Sequence, residues 1–143
     1  MSDVTTNRLL NHLIAIHNRS LPVYLTYAAP AWHGGEEAAK ETMRLIAADQ
    51  RETAERLAAM VTENNGVVNN GEFPIYYTGY HDLSFDFLLN EIIKEQKEDI
   101  ATIESVVSKL SLVPLAKALA EETLGAAKGH LESLVELKQA AAS

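Results

Sequence analysis

The stretch NNGVVNNGEFPIYYTGYHD occupies residues 64–82 and separates two long helical patterns. Its nineteen residues are enough to run the length of a helical bundle, whereas antiparallel neighbouring helices need only a short turn. A connector of this length is needed only if the helices on its two sides run parallel. Residues 64–82 therefore predict a crossover along the bundle, and their two Asn-Gly pairs also permit a small hairpin.

Four segments around this crossover carry apolar side chains at spacings of three and four, the pattern of an amphipathic helix. The predicted helices run from about 6–29, 35–64, 83–110 and 114–140. Short turns join the helices within each pair, so each pair is expected to be antiparallel. With residues 65–82 as the crossover, the sequence predicts one all-α domain over residues 1–143, a four-helix bundle of two antiparallel pairs.

Particular residues predict where these helices bend, begin and end. Pro22 lies inside the first helix and should bend it or tighten its turn, and the HGG at 33–35 should end it. The ENNG at 63–66 predicts a left-handed turn after the second helix. Asp82 is a suitable N-cap for the third helix. In the fourth, Leu115 is expected on the buried stripe.

The composition excludes several classes of function. A net charge of −8 argues against nucleic acid or an anionic membrane surface as a partner, since both require basic patches. The absence of cysteine excludes disulfides, thiolate metal sites and cysteine nucleophiles. The N-terminal residues lack a signal-peptide pattern, and no apolar run reaches the length of a membrane span. These features predict a cytoplasmic protein.

Polar residues interrupt each apolar stripe near its middle. They are His17 in the first helix, Asp49 and Gln50 in the second, Gln96 and Asp99 in the third, and His130 in the fourth. Counted from the two short turns at about 1.5 Å per residue, these breaks differ in height by less than one helical turn. They should meet in one layer, and burial requires that such groups be paired. The layer is then a hydrogen-bond network, a metal site or a small-molecule pocket.

The crossover is rich in aromatic residues. Phe73, Tyr76, Tyr77 and Tyr80 are four of the nine aromatic side chains in the chain. One interpretation is that these rings hold the crossover on the bundle. The other is that a ligand groove or a dimer contact lies beneath them, with Tyr24 of the first helix as a further candidate.

Two segments resemble the ferritin-like superfamily, which includes ferritins, bacterioferritins and rubrerythrins. DQRETAERL (49–57) is similar to the second-helix segment E-x-x-H-A-E-R-L, and KGHLESL (128–134) to the end of the fourth-helix E-x-x-H. The resemblance covers nearly the whole chain at the level of topology. It implies a di-iron or di-manganese centre held by a Glu from each of helices one and three and a Glu-x-x-His from each of helices two and four. DinB-like bundles are a rival at the level of the fold.

The ligand set implied by this resemblance is incomplete in the chain. Asp49 stands at the second-helix Glu position and Glu52 at the His position. His130 matches the fourth-helix His, but Ala127 stands where the Glu is expected. The first helix offers only Ile16 or His17. Lys94 stands near the third-helix position, although Glu91, Glu95, Glu98 and Asp99 are all close to it. A standard di-metal centre is therefore not expected.

Two hypotheses follow for the function. The first is a non-catalytic, ferritin-like domain that binds a small ligand or a protein partner, as a homodimer, with no cofactor. The second is an enzyme with an atypical metal site built from His17, Asp49, Glu52 and His130. The segment KEQKEDIATIE (94–104) is expected to be a solvated face apart from Gln96 and Asp99.

Overall fold

The structure is a computed structural model that describes residues 2–27, 37–80 and 83–142. Over these residues the chain forms five α-helices and one short 3₁₀ helix, and no strand. The helices are α1 (Asp3–Asn18), α2 (Leu21–Tyr27), α3 (Glu37–Glu63), α4 (Phe85–Lys109) and α5 (Pro114–Ala142), with the 3₁₀ helix at Ile75–Gly79. The prediction of an all-α fold is confirmed. Within the described ranges, no helix is long and apolar enough to span a membrane.

The first predicted helix is divided into two. α1 ends at Asn18 and α2 begins at Leu21, so the effect of Pro22 is a break and not only a bend. Ser20 caps the new helix, because its Oγ accepts a hydrogen bond from the Val23 backbone N–H at 3.2 Å. Pro22 lies in the first turn of α2, where its missing N–H costs no intrahelical bond. The predicted end of this helix and the turn around His33 fall in 28–36, outside the described residues.

The remaining helix ends agree with the sequence to within a few residues, with one correction. α4 is capped by Ser84 and not by Asp82, which lies outside the described residues. The Ser84 Oγ accepts from the Phe87 N–H at 3.2 Å, the contact typical of an N-cap. After α3, Asn65 adopts a φ of 60° and the Gly66 N–H donates to the Val61 carbonyl at 2.8 Å. The left-handed turn predicted there is confirmed.

The core forms two clusters, and the order in which each helix reaches them along the chain gives the direction of that helix. The first cluster includes Leu10 of α1, Leu57 of α3, Ile103 of α4 and Leu119 of α5. The second includes Leu21 of α2, Met43 of α3, Leu88 of α4 and Leu134 of α5. α3 and α4 therefore both run from the second cluster to the first, whereas α1–α2 and α5 run the opposite way. The connector between α3 and α4 has to return from one cluster to the other.

The crossover makes this return along α1. Hydrogen bonds join Asn64 to Asn7 (3.1 Å), Asn69 to Asn11 (2.8 Å), Asn70 to Asn18 (2.8 Å) and Gly71 to Arg19 (2.9 Å). Because α1 side chains satisfy these polar groups, the described crossover residues need no hairpin and form no strand.

The close approach at Gly71 requires glycine. Its φ is +71°, and a Cβ at this position would lie 2.8 Å from the Ala15 Cβ.

The expected burial of Leu115 is wrong, since this side chain is 78% exposed. The buried stripe of α5 instead passes through Ala116, Ala120 and Ala127. Leu115 precedes this stripe by one position, about 100° around the helix, and points away from it. A spacing of four to Leu119 alone was not enough to place it.

Candidate functional site

The six residues predicted to form the polar layer do not form one site. His17, Gln50 and Gln96 are buried, while Asp49, Asp99 and His130 are partly buried. The structure divides them between two regions. One lies between α3 and α5, and the other lies between α4 and the crossover.

The first region contains a paired acid and base. The His130 Nε2–H donates to the Asp49 Oδ2 at 2.6 Å, joining α5 to α3. The His130 side chain is 15% exposed and that of Asp49 is 47% exposed. The pair borders a groove of about 560 Å³ whose apolar walls include Leu45, Ile46 and Leu137. The carboxylate of Asp49 is therefore paired with the imidazole of His130 in this region.

His17 lies close to this pair, and its burial favours the neutral form of the imidazole. Its Nδ1–H donates to the Leu13 carbonyl at 2.7 Å, one turn earlier in α1. Burial lowers the pKa of His17 below its ordinary value of 6.5. The imidazole of His130 lowers it further, while the Leu13 bond and Asp49 act in the opposite direction.

Gln50 fixes the break between α1 and α2. The Ser20 Oγ donates to the Gln50 Oε1 at 2.5 Å, in addition to capping α2. Gln50 is therefore a buried structural contact between α3 and the α1–α2 break. Ser20 was missed in the sequence, although a Ser two residues before a Pro is the pattern of a helix N-terminus.

The second region surrounds a cavity of about 310 Å³. It lies where the crossover passes between the α1–α2 break and α4. Its polar and charged lining residues include Arg19, Tyr76, Tyr77, Glu95, Gln96 and Asp99. Four of the predicted layer and crossover residues, Tyr76, Tyr77, Gln96 and Asp99, thus come together here.

Glu95 connects the crossover to α4. The Tyr76 hydroxyl donates to its Oε1 at 2.7 Å, and the Tyr77 hydroxyl lies 3.1 Å from both carboxylate oxygens. Burial raises the pKa of Glu95, while the two tyrosine hydroxyls lower it. Burial also raises the pKa of Tyr77. Nearby, Tyr80 donates to Glu91 at 3.5 Å. Glu95 is thus half-buried and bonded, not part of a fully solvated face.

The rings of the crossover pack as a connected cluster on α2. The centroid of Tyr24 lies 5.2 Å from that of Phe73 and 5.3 Å from that of Tyr77. The Arg19 guanidinium lies 4.9 Å from the centre of the Phe73 ring. Contacts of this kind stabilise an aromatic pair beyond its buried area. The rings hold the crossover in place, and the cavity lies beneath part of the cluster.

Asp99 differs from Glu95 because it has no bonding partner. Within the described residues its carboxylate makes no hydrogen bond and no ion pair. Burial, together with the neighbouring carboxylates of Glu95 and Glu98, raises the pKa of Asp99 to about 7. This carboxylate is available to a ligand in the cavity.

The residues predicted to hold a metal are not gathered around one point. Glu52 is exposed on α3, and Asp49 is engaged with His130. Over residues 2–27, 37–80 and 83–142, no three His, Asp or Glu side chains are arranged to hold a metal ion. The atypical metal site stays a prediction from the sequence.

Comparisons of the chain with protein families, with characterised proteins and with solved structures find no match.

Proposed function

We propose that the chain is a ferritin-like four-helix bundle that binds a small molecule in the cavity beneath the crossover, without catalysing a reaction there. The observation that carries this proposal is the cavity of about 310 Å³ between the crossover, α4 and the α1–α2 break. Its volume falls at the lower end of the range for small-molecule sites, about 300–1,000 Å³.

The order of the helices supports the ferritin-like topology. α1–α2 and α3 form one antiparallel pair, and α4 and α5 form another, by their contributions to the two core clusters. The crossover between the parallel helices α3 and α4 is the connection that distinguishes this topology from an up-down-up-down bundle. In this arrangement the break at 19–20 is a local feature of the first of four helices.

The cavity walls are held by contacts on several sides, as expected for a preformed site. Tyr76 and Tyr77 fix one wall to Glu95 of α4. Gln96 fixes α4 to α5, because its Nε2–H donates to the Ala127 carbonyl at 2.9 Å. These side chains are already held in place, so a ligand would not have to order them, and this favours binding.

Filling the cavity tests the proposal. Ile16 lines it, and Ile16→Trp should occupy part of its volume. Leu45→Trp is the matched control, because it adds the same ring to the groove between α3 and α5. Both variants and the native protein are screened by two-dimensional NMR against a library of small polar molecules. Library members that shift Tyr76, Tyr77 and Gln96 signals should lose binding in Ile16→Trp and keep it in Leu45→Trp.

The opposite pattern, with binding lost only in Leu45→Trp, would overturn the assignment of the cavity. A library with no member that shifts the cavity signals of the native protein would overturn the proposed function as a whole.

A further inference from the structure

We propose that a small oxyanion, a carboxylate or a phosphate, binds in a cleft between Arg51 of α3 and Arg19 at the α1–α2 break. The cleft has a volume of about 240 Å³ and is distinct from the crossover cavity, although Arg19 borders both. This second site does not depend on the proposed function. The remaining described residues that line it are Asn18, Val23, Tyr27, Glu55 and Asn70.

Arg51 contains a buried donor that has no acceptor. Its Nε is almost inaccessible to solvent and, within residues 2–27, 37–80 and 83–142, has no hydrogen-bond partner. The same guanidinium donates from its Nη2 to the Thr26 hydroxyl and lies 4.9 Å from the centre of the Tyr27 ring. A buried charged group that lacks an acceptor destabilises the protein, so an acceptor supplied by a ligand is favoured there.

The two arginine side chains of the cleft keep an unpaired positive charge. The ion pairs among the described residues include neither Arg19 nor Arg51. Arg19 instead donates from its Nε to the Gly71 carbonyl at 2.9 Å and lies over the Phe73 ring. A guanidinium is always charged in a protein. The cleft therefore presents two positive charges in a chain whose net charge is −8.

Glu55 is the acidic residue among the described residues that line the cleft. It follows Arg51 by one turn of α3, and a spacing of four permits an ion pair. In the structure the Glu55 side chain is exposed, and within the described residues it forms no such pair with Arg51. A formal excess of one positive charge remains in the cleft.

Hydrogen-bond donors also exceed acceptors in the cleft. The Asn18 Nδ2 donates to the Asn70 Oδ1 at 2.8 Å, which leaves the amide N–H groups of Asn70 available to a ligand. A guanidinium has five N–H donors and no acceptor. Carboxylate and phosphate oxygens match two parallel N–H groups of a guanidinium. An oxyanion therefore suits these walls, whereas a cation does not.

The Tyr27 ring lies over the guanidinium of Arg51 and lines the same cleft. Tyr27 is 70% exposed, so a rotation of its ring uncovers little buried apolar area. This rotation gives an anion access to the Nε of Arg51. It exchanges a cation–π contact at an exposed site for charge-assisted hydrogen bonds, which are the stronger interaction.

The size of the cleft limits the size of the anion. Its volume is below the range of about 300–1,000 Å³ that is usual for small-molecule sites. It is about eight times the volume that one water molecule occupies in the liquid. Such a cleft suits an anion with few non-hydrogen atoms, such as inorganic phosphate or acetate.

The test compares two oxyanions with a neutral analogue near neutral pH. Phosphate and acetate each replace sodium chloride at constant ionic strength, and acetamide is the uncharged analogue of acetate. NMR follows the Nε–H signal of Arg51 and the ring signals of Tyr27. We expect at least one of the two anions to shift both sets of signals in a saturable manner, and acetamide to produce no saturable shift. The anion that binds more tightly distinguishes a phosphate ligand from a carboxylate ligand.

Three substitutions on α3 test the role of Arg51, with the ring signals of Tyr27 as the readout. Arg51→Gln removes the guanidinium and should weaken anion binding by roughly tenfold to a hundredfold, the value of a hydrogen bond to a charged group. Arg51→Lys keeps the charge but lacks the planar pair of donors, so it should weaken binding by about tenfold. Arg44→Gln is the matched control and should leave the affinity unchanged, because Arg44 is exposed on the same helix and does not line the cleft.

Several outcomes would overturn the oxyanion site. One is the absence of a saturable shift with both anions. Another is equal affinity in Arg51→Lys and the native protein, because charge alone would then be sufficient. Equal losses in Arg44→Gln and Arg51→Gln would also overturn it. Ile16→Trp should leave anion binding unchanged, whereas a loss in this variant would place the anion in the crossover cavity and remove the second site.

Discussion

The two polar regions of the molecule differ in whether their charged side chains have partners. Between α3 and α5, Asp49 and His130 are bonded to each other at 2.6 Å. Beneath the crossover, Glu95 is bonded to two tyrosines, but Asp99 has no partner among the described residues. A region that satisfies its own groups stabilises the fold. A region that leaves a partly buried carboxylate unpaired is a candidate for binding.

The two regions also respond to pH in opposite directions. Burial lowers the pKa of His17 in the folded chain. The contribution of His17 to the free energy of unfolding is therefore present above pH 6.5, the ordinary pKa of histidine, and is lost as the pH falls. Because burial raises the folded-state pKa of Asp99 to about 7, its contribution is present at acidic pH and is lost as the pH rises. The difference follows from the sign of the charge that burial disfavours.

The largest change in the free energy of unfolding is expected from a substitution in the wall of the cavity, at Tyr77. Tyr77 is 3% exposed, belongs to the second core cluster and bonds to Glu95. Tyr77→Ala should lower the free energy of unfolding by about 3–5 kcal/mol, as for other large aromatic side chains removed from a core. Urea denaturation measures this change.

Tyr76→Ala is the matched control for Tyr77→Ala. Tyr76 bonds to the same carboxylate but is 54% exposed, so its removal should cost about 1 kcal/mol. Equal losses in the two variants would contradict the view that the ring cluster, centred on Tyr77, holds the crossover.

A smaller change in the free energy of unfolding, and of opposite sign, is expected from a substitution at Asp99. Asp99→Asn should raise the free energy of unfolding near pH 7 by about 1–2 kcal/mol, since it removes a partly buried charge that lacks a partner. The gain should become small towards pH 4, where the native carboxyl is protonated in the folded chain and about half protonated in the unfolded chain. Urea denaturation at a series of pH values measures both.

Glu104→Gln provides the control for the pH series, because Glu104 is exposed on α4. A native protein whose stability does not fall between pH 4 and pH 7 relative to Asp99→Asn would show that the carboxylate is well solvated or paired.

The helices could be predicted from the sequence. Which neighbouring helix each polar residue near the middle of a helix faces could not be predicted. Apolar spacing places buried residues such as Leu57 and Ile103 directly. Counting residues from the turns gives only the height of a polar residue. It does not show whether Asp49 lies nearer to His130 or to Asp99. The division into two regions depends on how far each helix is rotated, which only packing fixes.

Glu95 shows why part of the candidate site was missed. Its surroundings in sequence, KEQKEDIATIE, have the charge spacing of a solvated helix face. Its partners Tyr76 and Tyr77 come from the crossover, eighteen or more residues earlier. A crossover rich in tyrosine needs acceptors for its buried hydroxyls. That requirement could be recognised in the sequence, but it does not show which carboxylate accepts the hydrogen bonds of the tyrosines.

The smallest expected effect is on the paired region. Asp49→Asn removes the charge that faces His130 and keeps the shape, so it should lower the free energy of unfolding by about 0.5–1.5 kcal/mol. Glu52→Gln changes an exposed carboxylate one turn away on α3 and should alter stability by less than about 0.5 kcal/mol. Urea denaturation of the two variants compares the losses directly. A gain in stability for Asp49→Asn, like that expected for Asp99→Asn, would remove the distinction between a region that is complete in itself and one that awaits a ligand.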